Sequence, residues 1–133
     1  MTVSAFGIAW IGFVAAFAVH VIDEALNDFL PTYNASIVHI RRRIPWAPFP
    51  TFQYRVWLGL LIAGIVLLLA LSPLAFSNVH WLRQVAIAIG CVIGVLNALG
   101  HLGGSLYFRR PMPGVLSAPL LLACGVWLVV TAS

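Results

Sequence analysis

Charge is what this sequence has least of. Only 8% of its 133 residues are charged, whereas roughly a quarter are charged in soluble globular proteins. The chain has three acids and seven basic residues, and every basic residue is an arginine. Hydrophobic residues make up 62% of the chain, and the mean hydropathy is +1.06. This composition excludes an ordinary soluble domain and predicts an integral membrane protein with one domain over residues 1–133.

Other absences exclude further classes of protein. No soluble basic face is interleaved with aromatic residues, so we expect no nucleic-acid partner. The two cysteines, Cys91 and Cys124, lack C-x-x-C spacing and fall in apolar runs, which indicates small buried side chains and leaves their redox state open. No positively charged segment precedes the first apolar run, so we expect a retained helix there, in place of a signal peptide.

The apolar runs predict an all-α, four-helix membrane bundle. A spanning helix needs about 20 mostly apolar residues. Four segments qualify, at about residues 5–27, 54–74, 82–108 and 115–132. Pro31 is expected to end the first span. The connection over residues 31–52 is expected to lie at the membrane interface, with a short helix at about 34–43.

The arginines predict the orientation of the bundle. Six of the seven fall in the connections that follow spans one and three, namely Arg41, Arg42, Arg43, Arg55, Arg109 and Arg110. Arg83 alone lies on the opposite side. By the positive-inside rule, both arginine-rich loops are cytoplasmic and both termini face outward. We expect a multi-pass protein of a cytoplasmic membrane, with the lipid bilayer as its surroundings.

All three acids fall near the end of the first span. His20, Asp23, Glu24 and Asn27 are related by i, i+3, i+4 and i+7, so their side chains share one helical stripe. Asp28 lies outside this stripe, where water can reach it. Ionisable groups within a membrane are costly and are expected to face a cavity or a partner. The stripe is therefore predicted to be a functional site.

A second polar stripe lies on the third span. Its members follow helical spacing on one face and are Gly90, Gly94, Asn97, His101 and Ser105, flanked by Gly104. Glycines let another helix approach closely, and they also leave space for a substrate. Spans one and three run parallel, with His20 and His101 at comparable depth. We therefore expect the two stripes to meet, although the glycine face would equally suit a second copy of the chain in a homodimer.

These stripes define the predicted site. The predicted catalytic residues are His20, Asp23, Glu24, Asn97 and His101. The predicted substrate-binding residues are Asn27, Gly94, Gly104, Ser105, Tyr107 and Arg110.

The two stripes also carry a family resemblance. His20-Val21-Ile22-Asp23-Glu24 resembles the signature of a small bacterial integral-membrane family named for its H-x-x-E-E motif. Residues 97–101, with the later Pro113-Gly114, resemble a second block of that family. The resemblance implies a bacterial membrane protein with four helices and a site at these residues. It departs at the first glutamate of the motif, which is Asp23 here, with a side chain one methylene shorter.

Three kinds of function suit two histidines, two carboxylates and an amide inside a bilayer. The first is acid–base catalysis by an enzyme that isomerises, cyclises or hydrolyses an isoprenoid-like or acyl substrate. The second is a mononuclear Zn or Fe hydrolase or oxidase, with His20, Glu24 and His101 as ligands. The third is a lipophile binder or proton-coupled transporter. A di-iron centre would need about four carboxylates, more than the chain has. We expect an enzyme, and no cofactor beyond one such ion.

Overall fold

The computed structural model describes residues 4–133, and every regular element in that range is a helix. The elements are α1 (Ala5–Leu26), α2 (Phe29–Arg43), α3 (Tyr54–Ala70), α4 (Ser72–Phe76), α5 (His80–Ile89), a π-helical segment (Gly90–Leu96), α6 (Asn97–Phe108) and α7 (Ala118–Ala132). The all-α prediction is confirmed over this range. The predicted single domain also includes residues 1–3, which lie outside the described residues.

Helix α1 is the innermost element. The Ser4 hydroxyl accepts a hydrogen bond from the Gly7 N–H at 3.3 Å and so caps the helix. The buried residues of α1 pack mainly against α7, and they also contact α3 and α4. The indole N–H of Trp10 donates to the Leu68 carbonyl at 2.9 Å, which ties α1 to α3. A helix buried on most of its circumference is apolar nearly all round, as the sequence of α1 is.

Helix α5, the π-helical segment and α6 form one continuous helix from His80 to Phe108, whose middle turns are wider than those of an α-helix. In the segment Gly90–Leu96 each backbone N–H bonds to the carbonyl five residues earlier, where an α-helix uses the carbonyl four residues earlier. The Asn97 N–H, for example, bonds to the Val92 carbonyl. Such a segment shifts the helical register of the residues that follow it. The predicted single face from Gly90 to Ser105 is therefore not one straight stripe.

The glycines of this segment pack on α7. A Cβ atom at Gly94 would lie 2.6 Å from the Gly125 Cα, and one at Gly90 would lie 3.2 Å from the Gly125 carbonyl oxygen. The close approach expected of the glycine face is thus present, but the partner helix is α7 of the same chain. This packing brings the third and fourth apolar segments together directly above the polar site.

The first helix ends within one residue of its predicted end at about residue 27, whereas other boundaries differ from the prediction. Helix α1 ends at Leu26, before Pro31, and Asp28 adopts a left-handed conformation with φ 55°. Pro31 lies in the first turn of α2, where its missing N–H costs no hydrogen bond, so the interfacial helix starts earlier than residue 34. The second apolar segment divides at Leu71 into α3 and α4. The helix of the fourth apolar segment, α7, begins at Ala118 because a turn precedes it.

Two helices, Ala5–Leu26 and His80–Phe108, are long and apolar enough to cross a membrane, and α3 and α7 are shorter apolar helices. The two ends of the bundle differ in charge. At one end, Arg83 donates to the Ala132 carbonyl at 3.0 Å and lies over the Phe6 ring. At the other end, Arg110 lines a cavity together with His39 of α2, beside the Arg41–Arg43 triplet.

Candidate active site around Glu24

Three buried ionisable side chains converge between α1 and α6. The Oε1 atom of Glu24 lies 3.0 Å from His101 Nε2 and 3.5 Å from His20 Nε2. The two imidazole rings meet edge to face, with centroids 4.8 Å apart. His20 is fully buried, and His101 and Glu24 are nearly so. The predicted meeting of the two polar stripes is therefore observed at these three residues.

The ring of His20 is held from both sides. Its Nδ1 atom lies 2.8 Å from the Ser117 hydroxyl, and its Nε2 atom lies 3.1 Å from the Asn97 amide nitrogen. The Ser117 hydroxyl has two pure acceptors within reach, Asp23 Oδ2 at 2.7 Å and the Gly114 carbonyl at 3.2 Å, so its proton goes to one of them and the hydroxyl accepts from His20. This arrangement assigns the proton of neutral His20 to Nδ1. The Nε2 lone pair then accepts the amide N–H of Asn97.

Asp23 fastens the turn before α7 to α1. Its Oδ2 atom accepts the Ser117 backbone N–H at 2.9 Å as well as the hydroxyl. The Asn27 amide donates to Asp23 Oδ1 at 2.7 Å and to the Asp23 carbonyl at 2.8 Å. Both carboxylate oxygens thus have protein donors, and charge-assisted bonds of this kind are stronger than neutral ones. Asp23 is a positioning residue for Ser117 and, through it, for His20.

Gly114 lies directly against the site. Its φ of +85° is a conformation that residues with a side chain rarely adopt. A Cβ atom there would lie 2.9 Å from His101 Nδ1 and 3.1 Å from Glu24 Cγ. The His101 Nδ1 atom is buried and has no hydrogen-bond partner among residues 4–133. The protein therefore fixes the proton position on His20 but leaves both tautomers open to His101.

Two adjoining cavities border Glu24. The larger has a volume of about 480 Å³, and its wall is mostly apolar, with five aromatic residues: Phe17, Phe29, Tyr33, Phe52 and Trp57. Asn97 is also in its wall. The smaller cavity, about 220 Å³, shares Glu24, Phe29, Phe52 and Trp57 with the larger and extends to Asp28 and Asn34. Apolar cavities with a few convergent polar groups are typical small-molecule sites.

The loop over residues 44–53 contributes part of this wall. The Asn34 amide donates to the Phe52 carbonyl at 2.8 Å and accepts the Phe52 N–H at 3.1 Å. Tyr33 donates to the Pro50 carbonyl at 3.0 Å, and Arg41 donates to the Phe49 carbonyl. These bonds hold an extended segment against α2 and place Phe52 beside Glu24.

The residues predicted to bind substrate do not line the two cavities at Glu24. Asn27 and Tyr107 are exposed, Gly94 packs on Gly125, and Gly104 and Ser105 contact Met112. Arg110 lines a separate cavity with His39. The physical reasons are the register shift of the π-helical segment and the interposition of α2 between Arg110 and Glu24. Of the predicted catalytic residues, Glu24 and Asn97 border the cavities, whereas His20, His101 and Asp23 stand behind them.

Some residues of the site had no part in the sequence prediction. Ser117 precedes an apolar run, which is typical of a helix N-cap, but its side chain bonds to Asp23 and His20 and leaves the helix uncapped. Phe29 packs on the His101 ring with centroids 5.2 Å apart. The serine signal was present in the sequence, but nothing local indicated its partners, because they lie more than 90 residues away.

Residues 10–128 match a protein family described as a protein of unknown function with HXXEE motif. The chain belongs to the HXXEE family. It matches no curated protein and no solved structure.

The geometry explains how the HXXEE motif works as a unit in this chain. The histidine, His20, and the final glutamate, Glu24, are one helical turn apart and both point into the cluster. Asp23, which occupies the position of the first glutamate of the motif, points to the turn before α7. The aspartate at this position serves an anchoring contact, so its shorter side chain leaves the Glu24 carboxylate unaffected.

Proposed function

We propose that this protein is an intramembrane enzyme that adds a proton to a small lipophilic substrate and removes one from it. Glu24 is the residue that meets the substrate. The observation that carries the proposal is the position of the Glu24 carboxyl group. It lies in the wall of an aromatic-lined cavity of about 480 Å³, and its Oε1 atom has one imidazole nitrogen at 3.0 Å and a second at 3.5 Å.

The chemistry needs only one carboxyl group. The Glu24 carboxyl gives its proton to one carbon of a substrate double bond, forming a C–H bond and leaving a cation on the neighbouring carbon. The Glu24 carboxylate then removes a proton from an adjacent carbon, and the electron pair of that C–H bond forms a new double bond. The net reaction is isomerisation, and no oxidant is needed. Aromatic faces around the cavity would stabilise the cation.

The histidines and Asn97 prepare this carboxyl group. His101 donates its Nε2–H to the carboxylate in one tautomer and accepts from the carboxylic acid in the other. Its partnerless Nδ1 supports this alternation, because no fixed contact there favours one form. Asn97 occupies the His20 Nε2 lone pair and keeps that ring from taking the proton itself. Proton transfer by a positioned group of this kind contributes about 100-fold to 10,000-fold to a rate.

We place the enzyme in a bacterial cytoplasmic membrane as a four-span protein with both termini outside. Support comes from α3, whose outward face carries exposed Leu60, Ile62, Val66, Leu67 and Leu69. A continuous apolar surface of this kind suits a lipid environment. The arginine distribution supports the orientation, because Arg110 and the Arg41–Arg43 triplet lie at one end, whereas Arg83 lies beside Ala132 at the other.

The test is deuterium uptake. Purified protein in lipid nanodiscs in D₂O is incubated with a panel of unsaturated isoprenoid alcohols and epoxides, and carbon-bound deuterium is measured by mass spectrometry. We expect uptake with at least one substrate and a loss of about 100-fold or more in Glu24→Gln. His80→Gln, an exposed position at the far end of the bundle, is the matched control and should retain uptake. Equal uptake by wild type and Glu24→Gln would refute the role of Glu24.

A second candidate is a mononuclear metal enzyme. His20, Glu24 and His101 each offer a ligand atom, and these atoms lie within 4.8 Å of one another. Tetrahedral zinc places ligand atoms about 3.3 Å apart, close to the two histidine–glutamate separations. The bond from His20 Nδ1 to Ser117 also resembles the outer contacts of metal-binding histidines. We rank it second because Asn97 occupies the same His20 lone pair that a metal would need.

Metal content distinguishes the two candidates. Protein purified without chelators is analysed by mass spectrometry, with His101→Ala and His80→Ala in parallel. The metal candidate requires about one equivalent of zinc or iron in the wild type and in His80→Ala, and loss of that metal in His101→Ala. Metal-free protein that retains deuterium uptake would exclude the metal candidate.

A further inference from the structure

We infer that the substrate is an amphiphile with an uncharged or cationic head group, bound with its head in the smaller cavity and its apolar chain in the larger one. This inference rests on the proposed function, because it assigns the class of molecule that Glu24 acts on. It excludes phosphate and carboxylate heads.

The first step is the shape of the two cavities. They share four wall residues, including Glu24, so a molecule that reaches the carboxyl group contacts both. Beyond the shared wall, the larger cavity continues along leucine, valine and isoleucine side chains. The smaller one continues to Asp28, Asn34 and Tyr54. One end is thus suited to a hydrocarbon chain and the other to a polar head.

The second step is the charge of the walls. The charged residues in the two walls are Glu24 and Asp28, and both are acids. The Asn34 amide in the smaller cavity uses one N–H and its oxygen on the backbone of Phe52. An anionic head would approach the Asp28 carboxylate beside the Glu24 carboxyl group, and no arginine lies in either wall to compensate it. Such juxtaposition of like charge is unfavourable. A hydroxyl or an ammonium group has no such penalty.

The third step is the position of the arginines. Arg110 lines the cavity of about 840 Å³ that includes His39, and this cavity shares only Pro31 with the smaller cavity at Glu24. Arg41 bonds to the carbonyl of Phe49. No arginine is among the residues that line the two cavities at Glu24. Selection against anions follows from the arrangement of charges around α2.

The test uses three probes with one chain and different heads: farnesol, farnesylamine and farnesyl phosphate. Protein in phosphatidylcholine nanodiscs is equilibrated with tritiated farnesol, empty nanodiscs are subtracted, and unlabelled probes compete. We expect saturable farnesol binding that farnesylamine displaces at least as well as farnesol itself. Farnesyl phosphate should require at least a tenfold higher concentration. Because the readout is competition, phosphate bound in the Arg110 cavity does not register.

Two variants test which residues cause the selection against anionic head groups. Asp28→Asn should make farnesyl phosphate several-fold more effective relative to farnesol, because the repelling charge of Asp28 is gone. Arg110→Gln is the matched control and should leave this ratio unchanged. Displacement by farnesyl phosphate at the concentration that suffices for farnesol, or no saturable farnesol binding, would overturn the inference. Deuterium uptake is measured separately, so Glu24-dependent uptake alongside either of those results would leave the proposed reaction standing.

Discussion

Asp23 and Glu24 are neighbours in the chain, but their surroundings differ completely. The Asp23 carboxylate accepts hydrogen bonds from Ser117 and Asn27, and no part of it borders a cavity at the site. The Glu24 carboxylate has two imidazoles on one side and open cavity space on the other. The two acids of the motif therefore differ in their contacts: Asp23 links α1 to the turn before α7, whereas Glu24 borders a cavity.

The largest effect should come from Gly114→Ala, which disturbs both sides of this comparison. Alanine would strain the backbone at φ +85° and place a Cβ atom 2.8 Å from His101 Cε1. We expect a loss of about 2–5 kcal/mol of stability, from backbone strain and overpacking together. Thermal unfolding of purified protein, followed by circular dichroism, measures it.

Gly103→Ala is the control for that experiment. A Cβ atom at Gly103 meets nothing within 4 Å, and alanine favours a helix over glycine by about 1 kcal/mol. This variant should be as stable as the wild type or slightly more so. Equal stability of the two alanine variants would show that the turn at Gly114 does not rest on the site.

An intermediate effect should come from the anchoring side alone. Ser117→Ala removes the hydroxyl between His20 and Asp23 and leaves buried groups without their partner, which costs about 1–3 kcal/mol. Asp23→Asn should cost a similar amount. The double variant should show a coupling of about 0.5 kcal/mol or more in a double-mutant cycle, because the residues share hydrogen bonds.

A distant pair provides the reference for that cycle. Ser117→Ala and Arg83→Gln lie at different parts of the bundle and share no hydrogen bond, so their effects on unfolding should add. Additivity of Asp23→Asn with Ser117→Ala as well would mean that the anchoring contact is absent in solution.

The smallest effect should come from Asp23→Glu, which restores the glutamate of the family motif. The longer side chain reaches the same Ser117 donors after a small adjustment, so we expect a change in stability below about 1 kcal/mol. Deuterium uptake should change by no more than a few-fold, because this position does not border the cavities. A loss of uptake as large as that of Glu24→Gln would remove the distinction between the two acids.

The part of the site that helical spacing controls was predictable. His20 and Glu24 are one turn apart, and α1 runs in the same direction as the helix from His80 to Phe108, which brings His101 level with Glu24. The Ser117 contact was not, because it joins residues 94 apart through a turn whose shape depends on Gly114 and its neighbours. No local pattern specifies such a pairing.

The fold shows the same division. Long apolar runs predicted α1 and the helix that ends at Phe108, because hydropathy alone decides such elements. The π-helical segment, in which Gly90 and Gly94 pack against Gly125, is not indicated by hydropathy, because it involves a tertiary contact. Pro31 does not end the first helix but lies in the first turn of α2, a position where proline is common.

The paired hydrogen bonds between the Asn34 side chain and the Phe52 backbone have an evolutionary consequence. They act like one rung of a sheet within a helical protein and let a surface loop supply one wall of a buried site. Loops accept insertions and substitutions more readily than the elements they join. A change in residues 44–53 would therefore reshape the cavity wall while the helices and the Glu24, His20 and His101 cluster stay unchanged.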